Sequence, residues 1–169
     1  MNDAVIQTNH PSYRGRVLSI ADLPEVADLE RITQLDPWTR DQVLAVAPLL
    51  ECGEYSGAVL LQAEQILAYV LVRFILDECE ILGVGVMPDQ QGKGLGQQLL
   101  HTLIDTLPPT VQTIHLEVRV SNLPAQKLYA RLGFIEVGQR KGYYAALKSD
   151  GSATREDAVL MSKKVNQAI

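Results

Sequence analysis

The sequence predicts one α/β domain built on a mixed sheet, and three observations carry that reading. The chain has 169 residues, 47% of them apolar and 21% charged, an ordinary globular composition. At this length one core can bury roughly 70% of the unfolded surface, which is short for two domains. The apolar period also switches repeatedly between two and 3.6 residues, in the order β-α-α-β-β-β-α-β-α-β-β.

The first fifteen residues are polar and aperiodic, so residues 1–15 are expected as a loose extension ahead of a domain over residues 16–165. Val17 to Ile20 is the first strand candidate. Asp22 is a candidate N-cap for a helix carrying Leu23, Val26, Ala27 and Ile32, broken by Asp36-Pro37. Thr39 and Gln42 have capping-box spacing for a second short helix, which Pro48 is expected to end. Ser56–Gln62 and Ile66–Ile75 are branched apolar runs joined by a short turn, and Glu80–Met87 is a third. Leu95, Leu99, Leu103 and Leu107, widened by Leu100 and Ile104, form a helical stripe up to Pro108-Pro109. Thr113–Arg119 alternates, with His115, Glu117 and Arg119 on one face. Asn122 can cap a helix holding Ala125, Leu128 and Leu132, closed by Gly133. Phe134–Gln139 and Ala158–Lys163 read as two final strands around a polar loop.

Composition excludes several functions. With 15 Lys and Arg against 20 Asp and Glu the net charge is −5, the wrong sign for a general nucleic-acid binder. No run reaches the 18 apolar residues of a membrane span, and the first twenty lack the pattern of an export signal. A cytoplasmic protein is expected, with no membrane partner. Cys52 and Cys79 have no metal or disulfide spacing, so two reduced, buried thiols and no metal are expected.

The most informative segment runs from Val84 to Gln97, a strand feeding a glycine-rich turn and then a helix. Free amides at such a helix start, with the positive end of its dipole, form an anion site. A dinucleotide fingerprint fails because Gln97 stands where its last glycine belongs. A P-loop fails because Gly94 follows Lys93 and Met87 replaces the upstream glycine. What remains is Q-x-x-G-x-G from Gln91 to Gly96, which resembles the acyl-CoA pyrophosphate loop of the GNAT N-acetyltransferase superfamily. The plain alternative is a glycine-rich connection with no ligand.

The second segment is Leu116–Asn122 followed by Ala125–Phe134. A strand carboxylate, Glu117, can take a proton from an α-ammonium, whose pKa is about 7.7–8.0. Tyr129 on the next helix can return one to a departing thiolate. Their bland readings are a solvated carboxylate paired with Arg119 or a neighbour, and a half-buried packing tyrosine. The run LEVRVSNLPAQKLYARLGF, the pair Tyr143-Tyr144, the strand REDAVLM and Pro37-Trp38-Thr39 together resemble the RimI-like ribosomal-protein-alanine N-acetyltransferases.

That resemblance spans about Val17 to Lys163. It implies the single-domain GNAT fold, with a mixed, mostly antiparallel sheet flanked by about four helices, and acetyl-CoA as co-substrate. It implies Glu117 as general base and Tyr129 as general acid. The pantetheine arm would lie on Val84, Gly85 and Val86, with the Val86 amide facing the thioester oxygen. Gln91, Gly92, Lys93, Gly94, Leu95, Gly96 and Gln97 would cradle the pyrophosphate, and Asn122 would touch the cofactor near its thiol. Trp38, Tyr143 and Tyr144 would shape the acceptor groove. The implied acceptor is a protein N-terminus, a ribosomal protein beginning with Ala; the alternatives are a small-molecule amine or a non-catalytic acyl-CoA scaffold. The chain departs from the family in a longer loop at residues 145–154 and in His115, a candidate assistant to Glu117.

Overall fold

Two strands buried on both faces organise the sheet. These are β2 (Tyr55–Gln62) and β3 (Gln65–Ile75), turned at Ala63, whose φ is 51°. Their cores, Gly57–Leu61 and Ile66–Val72, are buried without a break. A continuous apolar run is what a strand needs when helices cover both sides. The structure, a computed structural model, describes residues 13–147 and 150–165.

Around this pair stand β1 (Arg14–Val17), β4 (Glu78–Val86), β5 (Thr113–Arg119), β6 (Ile135–Leu147) and β7 (Ala153–Lys164). Among the described residues the strand order is β1-β2-β3-β4-β5-β7-β6, antiparallel everywhere except between β4 and β5. Helices α4 (Leu95–Thr106) and α5 (Leu123–Arg131) pack on one face, where Leu95, Leu99, Leu100 and Leu103 meet Val70, Val72, Ile114 and Leu116. Helices α1 (Leu23–Thr33) and α2 (Arg40–Leu44) cover the other, against Val59, Leu61 and Tyr69.

Local chemistry sets several ends as expected. Thr39 caps α2, accepting from Gln42 N at 3.2 Å while Gln42 Oε1 accepts from Thr39 N at 2.8 Å. Asn122 Oδ1 accepts from Ala125 N at 3.2 Å, and Gly133 leaves α5 with φ +85°. Other expectations are corrected. The first strand lies at Arg14–Val17, not Val17–Ile20, so Arg14 and Gly15 pair with Leu61 and Leu60 instead of trailing as extension; residues 1–12 lie outside the described residues. Pro48 does not end a helix but stands in the first turn of a further short one, α3 (Ala47–Glu51), where its missing N–H costs nothing. The region from Ala145 to Thr154 is the tip of a long β6–β7 hairpin, its residues 148 and 149 outside the described set. Cys79 is buried, its thiol pushed up to about 12 by burial and by Glu80, whereas Cys52 is exposed.

The feature that matters for function is where β4 leaves β5. Leu71 faces Gly83 but Val72 faces Ile81, so Leu82 is an extra residue in β4. Such a bulge bends its strand. Parallel pairing to β5 stops at Ile81↔Leu116, and beyond it the two strands diverge, leaving Gly83–Val86 with no strand partner on that side among the described residues.

The start of α1 is tied to β1 by a part-buried ion pair. Asp22 accepts from Arg16 at 2.6 and 2.7 Å, from Ser19 N at 2.7 Å and from Ser19 Oγ at 2.8 Å. Burial raises its pKa, but the Arg16 and Ser19 bonds outweigh it and hold the carboxyl below its usual value. A depressed carboxylate contributes stability above its unfolded pKa of about 3.9 and loses it as pH falls through the folded value. Asp22→Asn should therefore cost about 2 kcal/mol at pH 7. In urea titrations the gap from the parent protein should close below pH 4; a gap unchanged at pH 3 would contradict the assignment.

Candidate active site

The splay exposes backbone polar groups in the middle of the sheet. Met87 N donates to Leu67 O at 2.8 Å, so by strand alternation residues 84 and 86 turn their amides and carbonyls away from β3 into the gap. Two glutamine side chains stand where a strand is missing. Gln34 Nε2 donates to Val84 O at 2.9 Å, and Gln91 Nε2 donates to Val86 O at 3.1 Å.

Gln91 belongs to the turn that follows. Gly92 and Gly94 have φ of +75° and +83°, in the left-handed region, and a Cβ on either would meet nothing within 4 Å. The turn is therefore both glycine-dependent and open. Gly94 is the N-cap of α4 and offers no side-chain acceptor, so the first-turn amides of Leu95, Gly96 and Gln97 have no cap. Gly96 lets the helix start lie close to α5, since its Cβ would stand 3.3 Å from Leu128. Lys93 Nζ is held by Gln90 Oε1 at 3.0 Å. Uncapped amides with an adjacent cation fit an anionic ligand.

Glu117 stands just past the last β4–β5 pair, its side chain 23% exposed. A pocket of about 310 Å³ opens beside it, lined by Ile75, Glu78, Glu80, His115, Val137 and Met161 among others. Its ion partner is not Arg119 but Arg140 of β6, whose Nη1 is 3.3 Å from Glu117 Oε1. His115 Nε2 faces Glu78 Oε1 at 3.4 Å rather than Glu117.

The tyrosine pair reaches this carboxylate through a distortion of β6. Arg140 faces Ala158 and Tyr144 faces Glu156, so Lys141, Gly142 and Tyr143 oppose Asp157 alone. Gly142, with φ +56°, makes the fold-back. Two residues of β7, Arg155 and Asp157, hold it. Arg155 donates to Gly142 O and, at 2.8 Å, to Tyr143 O; Asp157 accepts from Gly142 N at 2.7 Å. Glu156 accepts from Ser121 N at 2.6 Å and from Arg119 at 3.3 Å. The R-E-D string thus ties the β6 bulge to the end of β5.

The outcome is a compact set of rings and charges. Tyr143 and Tyr144 meet edge to face at 4.8 Å, and Arg140 and Arg119 lie over them at 4.1 and 4.4 Å. Tyr144 donates to the Glu117 backbone carbonyl at 3.2 Å. Burial, then the charge of Glu117, pushes the Tyr144 phenol up to about 12. Tyr129 is 8% exposed with its ring on Phe134 at 5.7 Å, and burial raises its phenol further still. A buried tyrosine of this kind keeps its proton throughout the neutral range. Trp38 packs against the core cluster under α1 and α2, its backbone N–H donating to Glu30 Oε1 at 3.0 Å.

The profile of the acetyltransferase (GNAT) family matches residues 23–134. This chain belongs to the GNAT acetyltransferase family. It is similar to the [ribosomal protein bS18]-alanine N-acetyltransferase of Escherichia coli, 36% identical over 151 residues, covering 88% of this chain and 95% of that one. The enzyme of the same name from Haemophilus influenzae is 34% identical over 152 residues, covering 86% and 98%. Among solved structures, the ribosomal-protein-S18-alanine N-acetyltransferase of Escherichia coli superposes with a TM-score of 0.81 at 33% identity, covering 93% of this chain and 96% of that one. Arabidopsis thaliana NAA60 in complex with acetyl-CoA shares the fold, with a TM-score of 0.77 at 18% identity, covering 91% and 99%.

Within this GNAT enzyme the structure gathers Glu117, Tyr143 and Tyr144 on one side of the gap and the 84–97 segment on the other. Asn122 is occupied in part as the cap of α5. Sequence reasoning missed Arg140, because its approach to Glu117 depends on the β6 bulge and has no local signal. It also missed how closely β4 sits on Tyr69. A Cβ on Gly85 would lie 2.2 Å from the Tyr69 ring and 2.6 Å from Thr33 Oγ1, while Gly138 has nothing within 4 Å. Gly85→Ala should cost about 1–3 kcal/mol by overpacking, and Gly138→Ala should be near neutral. Paired thermal denaturation scans compare them; equal losses would refute the close packing.

Proposed function

We propose that this protein transfers the acetyl group of acetyl-CoA to the N-terminal α-amine of a protein, a ribosomal protein beginning with Ala. The observation that carries the reading is the juxtaposition at the splay of Glu117, a half-buried carboxylate, and the strand edge at Val84 and Val86, whose carbonyls are met by glutamine side chains rather than by a strand. The uncapped start of α4 supports a phosphate-bearing ligand at the end of that edge. The similarity to alanine N-acetyltransferases over most of both chains supports the acceptor. On this reading the chain works in the cytoplasm.

The reaction needs two proton movements. Glu117 removes one proton from the acceptor ammonium, directly or through water, and frees the lone pair. The amine then attacks the acetyl carbon, forming the N–C bond while the carbonyl becomes an oxyanion. The Val86 N–H, aimed into the gap, is the donor assigned to that charge. Collapse breaks the C–S bond. Tyr129 protonates the leaving sulfur, and the nitrogen gives its second proton back to the phenolate. No covalent enzyme intermediate is needed, and buried Cys79 is unsuited to one because its thiol is held protonated.

The pantetheine arm fits the 84–86 edge as an added strand, replacing the bond from Gln91 to Val86 O. Gln91 to Gln97 would hold the pyrophosphate, with Lys93 as the nearby cation and Asn122 close to the thiol. Tyr143, Tyr144 and Trp38 would form the walls of the acceptor groove. Arg140, paired with Glu117 at 3.3 Å, is the cation that the acceptor's own ammonium would replace.

Glu117→Gln should lower turnover about 10²–10⁴-fold, the usual scale for a proton-transfer residue. Tyr129→Phe should slow turnover while acetyl-CoA binding measured by calorimetry stays within twofold. Mass spectrometry of products from peptides differing in their first two residues tests the acceptor. Acetylation confined to lysine ε-amines or small amines would overturn the N-terminal reading, and binding without thiol release would favour a scaffold.

A further inference from the structure

Behind the splay lies a buried polar chain that the reaction described above does not use. Glu30 of α1 is 8% exposed, a carboxylate in the interior. It accepts from the Tyr69 hydroxyl and, at 3.0 Å, from the Trp38 backbone N–H. Gln34, at the end of α1, places its Nε2 at 2.9 Å from Val84 O and 3.4 Å from the Tyr69 oxygen. The direction of the chain follows from chemistry. The Tyr69 proton is committed to Glu30 and Val84 offers only an acceptor, so the Gln34 atom between them must be its NH₂.

The sequence around Val84 is cut to admit this chain. Gly83 and Gly85 both face Tyr69: a Cβ on Gly83 would lie 3.4 Å from its hydroxyl, and one on Gly85 would enter its ring. Bare backbone on either side of Val84 is what lets a buried tyrosine, a carboxylate and a glutamine reach the strand edge. A buried carboxylate is costly unless its bonds are made, so the chain is held as one unit rather than as separate contacts. One end of the unit is the Trp38 wall of the acceptor groove; the other is the first gap-facing carbonyl of β4.

We propose that Gln34 is a positioning residue for acetyl transfer, holding the Val84 carbonyl in register with the Trp38 wall through Tyr69 and Glu30. Among the described residues Val84 has no strand partner on the gap side, and the Gln34 amide does the work of one. The inference rests on the acetyltransferase reading of the splay, and concerns the alignment of amine and thioester rather than the binding of either. Misplacing reacting atoms by about 1 Å can cost on the order of 100-fold in rate. A slack edge of this kind lowers turnover and spares cofactor affinity.

The test uses Gln34→Glu, which keeps the shape and removes the N–H, and Tyr69→Phe, which keeps the ring on Gly85 and removes only the hydroxyl. With the full chain and the best peptide acceptor, each should lower kcat about tenfold and leave the acetyl-CoA dissociation constant within twofold. The double variant should be no slower than the slower single, because both break one chain. Wild-type kcat in both singles overturns the proposal, as do multiplicative losses in the double variant or a loss confined to acetyl-CoA binding. A parent protein that turns over no amine in the same assay overturns the acetyltransferase reading and this inference with it; an active parent matched by its variants overturns this inference alone.

Discussion

One extra residue, Leu82, governs the architecture of the site. By lengthening β4 against β3 it bends the strand away from β5 after Ile81. Every functional element then takes its place relative to that divergence. Glu117 lies on the far bank, Val84 and Val86 on the near one, and the glycine turn continues the near bank into α4. A sheet without the bulge would pair those backbone groups and have no gap to work in.

The far bank depends on a second irregularity, the two surplus residues of β6. Consecutive strand residues point to opposite faces, so Tyr143 and Tyr144 could not both border the gap from a regular strand. The fold-back at Gly142 removes that restriction, and Arg155 and Asp157 bind its backbone from either side. Glu156, between them, reaches Arg119 and the Ser121 amide. The Arg155-Glu156-Asp157 string is thus a clamp between strands, with no member needed for the chemistry itself.

Legibility in the sequence followed the range of the interaction. The Leu95–Leu107 stripe, the Thr113–Arg119 alternation and the Thr39–Gln42 box are encoded within one helical turn or strand, and they appear as read. The glycine turn was legible because positive φ and uncapped amides impose their own spelling. Pro48 was misread because a proline closes one helix and opens another with equal ease. Arg140 at Glu117, and Tyr69 beneath Gly85, were invisible: each joins residues 23 and 16 positions apart through registers that only the assembled sheet sets. The exposed Cys52 shows that a thiol's hydrophobic habit does not override its place at the end of a short surface helix.

The opened edge of β4 also bears on which other chains its adhesive backbone can meet. Strand edges recruit other chains, and proteins ordinarily blunt them at the rim of a sheet. Here the edge is recessed at the centre, between β3 and β5, with two side-chain amides lying across its carbonyls. A slender arm can thread into such a slot, whereas a neighbouring sheet is too broad to enter. The same cleft that invites a narrow guest therefore screens out aggregation.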